Sequence, residues 1–578
     1  VQVADRLADH AARDPARLAV VVAGRDGEAR AVCTFAELDA DASALARGLI
    51  AAGAASGTRL ALMVPPGVEF VKLVFALLRS GATTILVDPG MGRRGLVDCL
   101  AAAEPDGFIG VSRAHAVRTI LRRRFPRARL NVTVGRRWFW GGATYGGLLR
   151  RGRASGVELP TTRGDDPAAI IFTSGSTGPP KGVLYTQRMF DAQVDQIQQA
   201  YDIQPGGVDL ACFALFGLFN SAMGVTTFFP QWASGRPAAA DPQRLLAAAN
   251  RWCVTQAFAS PAVWDKLSRH GEQTGERIPT LRQVFSCGAP VSAEIVNRTR
   301  TCVSARGAQM HTPYGATEAR PVATIEAQEI LGETAAATSK GAGVCVGRKF
   351  GAIEWRVIQI TDEPIANIAE AEELPAGEIG ELIVRGPQVS HSYLPVPSPG
   401  HSSRERKPDE FGAANRRAKI RDGAAVWHRM GDVGYLDDRG RFWYCGRKSH
   451  RVETASGPLF SANIEGVFDR LPGVRRSALV YVNADQHPHD QLPVMVIELN
   501  AEWKATGPQE RDSLIGKWYD LEPRLETLWY APKGYVPLRA ILFHPSLPVD
   551  VRHNSKINRE ALATWAAMQL CADNQAPR

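Results

Sequence analysis

Helical and strand-like segments alternate in the opening third of the chain, and this alternation restricts the possible folds more than any other feature. Thr34 and Glu37 form a capping box, which predicts the start of a helix. A strand pattern follows at 60–64, a helical pattern at 68–79 and a second strand pattern at 83–87. Strands that alternate with helices in this way build parallel sheets covered by helices. The sequence therefore predicts an α/β fold.

The chain also divides into two parts. Its 578 residues exceed the size at which a single hydrophobic core stops growing. After Arg447 the pattern changes to a unit of about 130 residues, which is a usual size for one domain. We predict a large amino-terminal domain of several subdomains at 1–447, with parallel sheets covered by helices. We predict a small, mobile α+β carboxy-terminal domain at 448–578, with the hinge at Lys448 and Ser449.

The positive charge is concentrated in one segment. The formal net charge is +9, but twelve arginines and no acidic residue lie between Arg113 and Arg153, so the rest of the chain is slightly acidic. This distribution gives no reason to predict nucleic-acid binding. No run of about 18 apolar residues occurs and the nine cysteines are scattered, so we predict a cytoplasmic protein without a transmembrane segment. Residues 397–423 are rich in Ser, Arg, Pro and Gly and are predicted to form a long surface loop.

A loop suited to phosphate binding follows the strand pattern at 169–172. Its hydroxyl, glycine and lysine residues are Thr173, Ser174, Gly175, Ser176, Thr177, Gly178 and Lys181. Backbone N–H groups, hydroxyls and one cation can together surround a phosphate group. The loop does not match the P-loop motif, so a P-loop kinase or ATPase is disfavoured. A solvated linker is also disfavoured, since a linker would not be attached directly to a strand and contain Lys181.

Four further motifs follow this loop, at 311–318, 380–386, 429–434 and 446–447. In this order the five motifs resemble those of the adenylate-forming enzymes, which include acyl-CoA synthetases, peptide-synthetase adenylation domains and luciferases. Within that family the chain is most similar to the β-lactone synthetases of bacterial long-chain olefin biosynthesis. The segments that carry this narrower resemblance are 87–93, 213–217 and 553–557.

The resemblance implies roles for individual residues. It implies nucleotide binding by Thr173, Ser174, Gly175, Ser176, Thr177, Gly178, Gly288, Ala289, Pro290, Tyr314, Gly315, Asp432 and Arg447. It implies catalytic roles for Lys181, Thr317, Glu318 and Lys556, with Glu318 as the Mg²⁺ ligand. It implies an acyl-substrate pocket at Phe216, Gly217 and His311. The chemistry of these side chains agrees, because an aromatic ring can stack on adenine and a carboxylate can accept from both ribose hydroxyls.

Four positions depart from the family pattern. Gly217 stands where the family usually has a histidine that gates the acyl site, which predicts a different or wider pocket. Asn554 stands at the first position of the usual Ser-Gly-Lys-Ile motif, and Ser555 replaces its glycine before Lys556. Ser449 stands where the family usually has Asp or Lys.

The resemblance also implies a reaction. ATP and Mg²⁺ would activate a long-chain 2-alkyl-3-hydroxyalkanoic acid as an acyl adenylate with release of pyrophosphate. The 3-hydroxyl of the substrate would then attack its own carbonyl and give a β-lactone and AMP, with His311 and His450 as candidate bases. The alternatives are a long-chain fatty acid–CoA ligase, a standalone peptide-synthetase adenylation domain and a non-catalytic scaffold. The scaffold is disfavoured because it would not need the catalytic residues.

The basic segment between Arg113 and Arg153 has several interpretations. It could be an ordinary solvated face, or it could contact an acidic protein, a membrane surface or the phosphates of coenzyme A. The resemblance to olefin-pathway enzymes favours a complex with other enzymes of that pathway. Peripheral association of a cytoplasmic enzyme with a membrane is the second functional interpretation.

Overall fold

The computed structural model describes residues 2–24, 27–173, 181–213, 217–230, 240–394, 409–454, 457–484, 487–504, 538–549 and 557–575. Within these ranges helices and strands alternate along the chain, which confirms the predicted α/β class. In the same ranges, no helix has both the length and the apolar character needed to cross a membrane.

The strands in chain order are β1 (Leu18–Ala23), β2 (Ala29–Thr34), β3 (Arg59–Met63), β4 (Thr83–Val87), β5 (Gly107–Val111), β6 (Leu130–Val134), β7 (Ala143–Thr144), β8 (Pro167–Thr173), β9 (Lys181–Thr186), β10 (Val208–Ala211), β11 (Thr226–Phe229), β12 (Gln256–Ala259), β13 (Gln283–Ser286), β14 (Gln309–Ala316), β15 (Ala319–Glu326), β16 (Val344–Lys349), β17 (Glu354–Ile358), β18 (Gly380–Arg385), β19 (Tyr393–Leu394), β20 (Lys419–Asp422), β21 (Ala425–Leu436), β22 (Phe442–Arg447), β23 (Val452–Thr454), β24 (Gly457–Leu459), β25 (Val474–Ala484), β26 (His487–Leu499) and β27 (Ala540–Phe543).

The α-helices are α1 (Val3–Arg13), α2 (Phe35–Ala51), α3 (Val68–Arg79), α4 (Gly92–Ala102), α5 (Ser112–Ile120), α6 (Tyr145–Arg153), α7 (Gln187–Ala200), α8 (Gly217–Asn220), α9 (Pro242–Arg251), α10 (Pro261–Thr274), α11 (Ala293–Cys302), α12 (Ala327–Glu329), α13 (Ala335–Thr338), α14 (Asp409–Ala418), α15 (Ser461–Phe468), α16 (Ala501–Lys504) and α17 (Arg559–Gln575).

Two large sheets organise most of the chain. The first has the order β17-β18-β21-β22-β16-β15-β14-β13-β12-β10-β11-β1-β2, with β20 paired to β21. Its part from β14 to β1 is parallel, and the strands from β15 to β17 pair antiparallel. The second has the order β19-β9-β8-β4-β3-β5-β6-β7 and is parallel from β8 to β7. Helix α7 contacts strands of both sheets, and one hydrophobic cluster contains residues from both.

Local sequence signals explain why the early helices begin and end where they do. The Thr34 hydroxyl accepts a hydrogen bond from the backbone of Glu37, and the Glu37 carboxylate accepts one from the backbone of Thr34, as the capping box predicts. Helix α3 and strand β4 have the predicted bounds, and β3 is shifted by one residue. These elements have strong local periodicity, so their positions depend little on distant contacts.

The prediction of a surface loop over 397–423 is wrong for its carboxy-terminal part. Residues 409–418 form α14, and Lys419 and Ile420 begin a strand in which both residues are buried. Ile420 pairs with Trp427 of β21, and both side chains have no exposed surface. Strand β20 is stabilised by its pairing with β21, a contact between distant residues that no local pattern in this segment marks.

The carboxy-terminal part has a sheet and a core of its own. Strands β25, β26 and β27 form a third sheet, and α15 and α17 pack against it. Phe468, Met495 and Leu562 are almost completely buried there. Asn463 of α15 donates a hydrogen bond of 2.7 Å to the backbone oxygen of Gly341, which connects this part to the first sheet region.

A buried carboxyl group lies inside the parallel part of the first sheet. Asp209 of β10 is 3% exposed and accepts a hydrogen bond of 2.8 Å from the side chain of Asn220. Burial raises the pKa of Asp209 to about 7, although hydrogen bonds from Asn220 and Gln256 act in the opposite direction. The folded protein therefore holds a proton on Asp209 at pH values where the unfolded chain has lost it.

The raised pKa of Asp209 predicts a stability that falls as the pH rises from about 4 to about 7. Between pH 5.5 and pH 8.5 we expect the free energy of unfolding of the wild type to fall by about 2 kcal/mol more than that of Asp209→Asn. About one and a half pH units of this interval lie below the pKa of Asp209 in the folded protein, and that difference corresponds to this energy. Urea unfolding followed by tryptophan fluorescence measures the difference. Equal pH dependence of the two proteins would contradict the buried, protonated carboxyl.

Candidate active site

A cavity of about 2550 Å³ lies at the carboxyl ends of parallel strands from both large sheets. Phe172 of β8 and Ser286 of β13 line it, as do Thr317 and Glu318 in the turn between β14 and β15. Asp432 of β21 lines the same cavity. Open α/β sheets place their ligands beside strand ends of this kind.

The ends of the predicted phosphate-binding loop lie at this cavity. Thr173, the last residue of β8, pairs with Lys181, the first residue of β9. Lys181 lines the cavity, and its Nζ atom lies 5.2 Å from the centre of the Tyr393 ring. The predicted site residues that lie outside the described ranges are Ser174, Gly175, Ser176, Thr177, Gly178, Phe216 and Lys556. Their roles stay predictions.

The predicted adenine-binding segments form one wall of the cavity. Gly288, Ala289 and Pro290 follow β13 after one intervening residue and line the cavity. Gly288 has a φ of +97°, a conformation that favours glycine. At Gly315 an added Cβ would lie 2.6 Å from the backbone oxygen of Ala319, so the hairpin leaves no room for a side chain there.

Three strands meet at the carboxylate of Asp432. In β21 this residue pairs with Arg447 of β22, and the Arg447 Nη1 atom lies 2.9 Å from Asp432 Oδ1. The Tyr314 hydroxyl of β14 donates a hydrogen bond to Asp432 Oδ2. Asp432 raises the pKa of Arg447, so the guanidinium stays charged. The structure thus brings together three residues that were predicted to bind the nucleotide, and it places Asp432 within a long strand.

The turn between β14 and β15 is held from two sides. The Thr317 hydroxyl accepts a hydrogen bond of 2.7 Å from Arg320 Nη2, and the Thr317 backbone oxygen accepts one from the Tyr185 hydroxyl. Arg320 also lines the cavity. A guanidinium beside a predicted phosphate-binding hydroxyl adds positive charge at the place where phosphate oxygens would lie.

Glu318 is fixed by contacts from the second sheet region. Its Oε1 atom accepts a hydrogen bond of 2.7 Å from the Tyr393 hydroxyl of β19. Its backbone oxygen accepts one of 2.7 Å from the Ser390 N–H group. Burial raises the pKa of Glu318, but His428, the Tyr393 hydroxyl and Lys419 outweigh burial, so the pKa lies below its usual value. Glu318 is therefore an ionised carboxylate at neutral pH.

Lys419 is a buried amine next to this carboxylate. Its Nζ atom donates to the backbone oxygen of Ser390 and lies 5.1 Å from the centre of the Tyr393 ring. Burial lowers its pKa to about 7, with Glu318 acting in the opposite direction and Lys181 adding to the lowering. The Tyr393 ring therefore lies near two lysine amines, while its hydroxyl binds Glu318.

The arrangement around Glu318 fits a magnesium ion bound together with phosphates. In the described part of the chain, no group of three or more His, Cys, Asp or Glu side chains could hold a metal ion. Mg²⁺ is commonly bound by one or two carboxylates and the phosphates of the substrate, without a complete protein cage. A single ionised carboxylate beside Thr317 and Lys181 matches that requirement.

The predicted hinge residues lie in a short 3-10 turn, where Lys448 is anchored. Its Nζ atom lies 3.0 Å from Glu381 Oε2 and 2.8 Å from the backbone oxygen of Thr361. Glu381 also pairs with Arg429, and both of these side chains are almost completely buried. Ser449 lines the cavity next to Lys448. The hinge function of both residues stays a prediction.

Two of the predicted acyl-pocket residues, Gly217 and His311, lie in the described ranges. Neither Gly217 nor His311 is among the described residues that line the cavity. An added Cβ at Gly217 would lie 2.8 Å from Thr227 Cγ2 and 3.2 Å from Ala211 Cβ. Thr227 and Ala211 thus pack closely around Gly217, and the interpretation of Gly217 as a sign of a different or wider pocket stays a prediction.

The two candidate histidine bases have different surroundings. The His311 ring packs against Tyr201 and Phe285, at 4.8 and 6.1 Å between ring centres. His450 does line the cavity, but burial, with Arg559 and Arg447 nearby, lowers its pKa to about 3. A histidine of this kind is a weak base at neutral pH.

Sequence reasoning missed Arg320, Tyr393 and Lys419. Arg320 lies two residues after Glu318, and its position beside that motif is a usable signal. Tyr393 and Lys419 reach Glu318 through strand pairing, since β19 pairs with β9 and β20 pairs with β21. No local pattern in the sequence marks these two residues.

Comparisons with known proteins agree with this geometry. Residues 7–394 match the family described as AMP-binding enzyme. The chain is 43% identical over 575 residues to the olefin beta-lactone synthetase of Stenotrophomonas maltophilia (strain K279a), with 98% of each chain covered. It is 44% identical over 541 residues to the olefin beta-lactone synthetase of Xanthomonas campestris pv. campestris, with 93% of this chain and 91% of that protein covered.

One solved structure illustrates the fold. The amide bond synthetase McbA from Marinactinospora thermotolerans superimposes with a TM-score of 0.74, at 21% sequence identity, over 97% of this chain and 99% of that chain. At this identity the likeness concerns the fold alone. The sequence matches confirm the resemblance from which the site was predicted, and the chain belongs to the ATP-dependent, AMP-forming family of AMP-binding enzymes, in the group that includes the olefin beta-lactone synthetases.

Proposed function

We propose that the chain activates a long-chain 2-alkyl-3-hydroxyalkanoic acid with ATP and converts it to a β-lactone in olefin hydrocarbon biosynthesis. The observation that carries this proposal is the likeness to two olefin beta-lactone synthetases over nearly the whole chain. The site supports it, because buried charged groups suited to a nucleotide lie beside a largely apolar cavity wall.

The first step joins the acid to AMP. The substrate carboxylate attacks the α-phosphorus of ATP, and the bond to pyrophosphate breaks. Thr317 and the phosphate loop bind the phosphates, while Lys181 and Lys556 balance the charge that develops. Tyr314 and the segment at 288–290 hold the adenine, and Asp432 with Arg447 binds the ribose.

Mg²⁺ would be held by Glu318 and the substrate phosphates, and would neutralise phosphate charge when bound. The chain itself orients the carboxylate for this purpose. The Tyr393 hydroxyl fixes Glu318 Oε1, and the backbone N–H of Ser390 holds the Glu318 backbone oxygen. These contacts support the assignment of Glu318 as the metal ligand.

The second step is intramolecular. The 3-hydroxyl oxygen forms a bond to the activated carbonyl carbon, the bond from that carbon to AMP breaks, and the hydroxyl proton is released. Because nucleophile and electrophile belong to one molecule, no second substrate has to be bound. The strain of the four-membered ring is offset by the energy of the acyl adenylate.

The apolar part of the cavity supports a substrate with two alkyl chains. Leu100 and Val117 line it from α4 and α5, on the second sheet. Ile197 and Phe219 line it from α7 and α8, beside the first sheet. Apolar surfaces from two layers of the fold meet in this cavity, so two hydrocarbon chains of one substrate can lie in different directions.

The division of the chain at 447/448 belongs to the same proposal. The small carboxy-terminal domain, residues 448–578, would swing about Lys448 and Ser449 to bring Lys556 to the substrate. The separate sheet of β25, β26 and β27 supports this division. A complex with other olefin-biosynthesis enzymes and a cytoplasmic location complete the proposal.

Product analysis distinguishes this function from its nearest alternative. Purified protein, ATP, Mg²⁺ and a long-chain 2-alkyl-3-hydroxy acid are incubated with and without coenzyme A. We expect β-lactone and AMP in equal amounts without the thiol, because the substrate carries its own nucleophile. A thioester formed only with coenzyme A would identify a long-chain acyl-CoA ligase, and the adenylation residues would keep their roles.

Replacement of Tyr393 tests the support of Glu318. Tyr393→Phe removes the hydroxyl that donates to Glu318 Oε1, a hydrogen bond to a charged group of about 1.5–3 kcal/mol. We expect adenylation, measured as pyrophosphate release, to fall about tenfold or more and to need a higher Mg²⁺ concentration for half-maximal rate. Binding of Mn²⁺ to the protein–ATP complex, measured by electron paramagnetic resonance, should weaken in parallel.

Tyr435→Phe is the matched control. Tyr435 is also buried, but its hydroxyl bonds the backbone oxygen of Ala342 and its ring stacks on Trp443. We expect this variant to keep the magnesium dependence of the wild type. An unchanged magnesium dependence in Tyr393→Phe would contradict the assigned role of the Tyr393 hydroxyl.

A further inference from the structure

Large apolar side chains are exposed within a short segment of the chain, on α5 and on the residues that pack against it through Trp140. Phe139 and Ile120 are 82% and 81% exposed, and Trp138 and Val117 are about half exposed. Elsewhere in the described ranges, the exposed large apolar side chains are Val32 and Met568. Exposed apolar groups that are close together commonly mark a binding surface.

The same segment carries the positive charge of the protein. Of its twelve arginines, some are paired, as Arg124 is with Asp98 and Arg127 is with Asp106. Of the exposed arginines that form no ion pair with the described residues, several lie between α5 and the exposed aromatic residues or at their ends, and these include Arg113, Arg122, Arg123, Arg129 and Arg136. We name these five arginines, together with Val117, Ile120, Trp138 and Phe139, the basic apolar surface.

The aromatic part of the basic apolar surface is held in place. Trp140 donates a hydrogen bond of 3.0 Å to the Thr133 hydroxyl and stacks on the buried His115 ring. Trp138 and Phe139 each pack against Trp140, at 5.3 and 5.5 Å between ring centres. The Phe139 side chain is therefore directed to solvent by a fixed neighbour.

The basic apolar surface is continuous with the cavity. Arg113, Ala114 and Val117 of α5 line the cavity, beside Leu96 and Leu100 of α4. Val117 is half exposed and lines the cavity at the same time. Helix α5 therefore carries side chains that line the cavity, such as Ala114, together with exposed side chains such as Ile120.

We propose that the basic apolar surface docks on an anionic lipid membrane and that the alkyl acid enters the cavity from this membrane beside α5. Arginine binds phosphate oxygens with two hydrogen bonds and is only weakly hydrated, which suits contact with lipid headgroups. Phe139, Ile120 and Trp138 have the chemistry of side chains that insert at the boundary between headgroups and acyl chains. The proposed docking depends only on the residues of the basic apolar surface, whereas the proposed entry of the acid rests on the proposed function.

A lipid surface fits these observations better than an acidic protein does. An acidic protein would satisfy the arginines, but the exposed Phe139 and Ile120 side chains need an apolar environment as well. A membrane of anionic lipids offers phosphate groups and hydrocarbon within a few ångströms of each other. It is also the phase in which an acid with two long alkyl chains accumulates.

Vesicle flotation tests the docking without substrate or ATP. The purified full chain is mixed with vesicles of phosphatidylglycerol and phosphatidylethanolamine, or with vesicles of phosphatidylcholine alone. We expect binding to the anionic vesicles that weakens with salt, and little binding to phosphatidylcholine. Absence of binding to the anionic vesicles would overturn the proposal, and so would equal binding to both lipids.

Two double variants identify the side chains involved. We expect the partition coefficient onto anionic vesicles to fall about tenfold in Ile120→Ser/Phe139→Ser and in Arg122→Ser/Arg123→Ser. The matched controls are Val32→Ser/Met568→Ser and Arg30→Ser/Arg306→Ser, which replace exposed residues elsewhere and should bind as the wild type does. Equal binding by all four variants would overturn the proposal, as would binding to polyglutamate without binding to vesicles.

Activity measurements separate docking from chemistry. The Ile120→Ser/Phe139→Ser variant should release pyrophosphate with a soluble, short-chain 3-hydroxy acid at a rate within about twofold of the wild type. With the long-chain acid supplied in anionic vesicles, its rate should fall about tenfold. If the wild type binds vesicles but forms no lactone, the proposed function fails and the docking stands. An unchanged rate with the vesicle-bound acid overturns the entry route.

Discussion

The cavity depends on a carboxylate that is buried inside a sheet. Asp432 lies within β21, and its side chain is only 4% exposed. A buried carboxylate without a partner destabilises a protein by several kcal/mol, and breaking a buried pair costs about 3–5 kcal/mol. The register of β21 and β22 places Arg447 opposite Asp432, and the Tyr314 hydroxyl of β14 completes the contacts. The pairing of β21 with β22 stabilises this sheet, and it also orients the ion pair of Asp432 and Arg447 at the cavity.

The second requirement is the contact between the two large sheets at Glu318. Glu318 follows β14 of the first sheet, whereas Tyr393 belongs to β19 at the edge of the second sheet. A shift of either sheet would break the hydrogen bond between them and leave a buried carboxylate without its donor. Lys419 of β20 also lies near Glu318, and burial lowers the pKa of its amine, so that much of the amine is neutral at pH 7. The electrostatics of the site are therefore determined by how the sheets pack.

The sequence contains enough information for the elements and motifs, but not for the contacts between them. Helix α3 could be predicted to the residue because its apolar periodicity is local, and Asp432 and Arg447 could be predicted because the motifs that contain them are distinctive. Tyr393 and Lys419 could not, since their proximity to Glu318 depends on the pairing of β19 with β9 and of β20 with β21. Gly217 shows the same limit, because only the folded structure shows that Thr227 and Ala211 pack closely around it.

Helix α5 carries side chains that line the cavity and also exposed apolar side chains, and this arrangement has an energetic consequence. Each methylene group that leaves hydrocarbon for water costs about 0.8 kcal/mol, so a chain of ten methylenes would lose about 8 kcal/mol during passage through solvent. An acid with two such chains would reach a site surrounded by water very slowly. With the proposed docking, a cavity that opens beside α5 would remove this barrier, because the chains would move from one apolar environment to another. Arg113 lines the cavity from the same helix, and its guanidinium is a cation suited to the carboxylate of an entering acid.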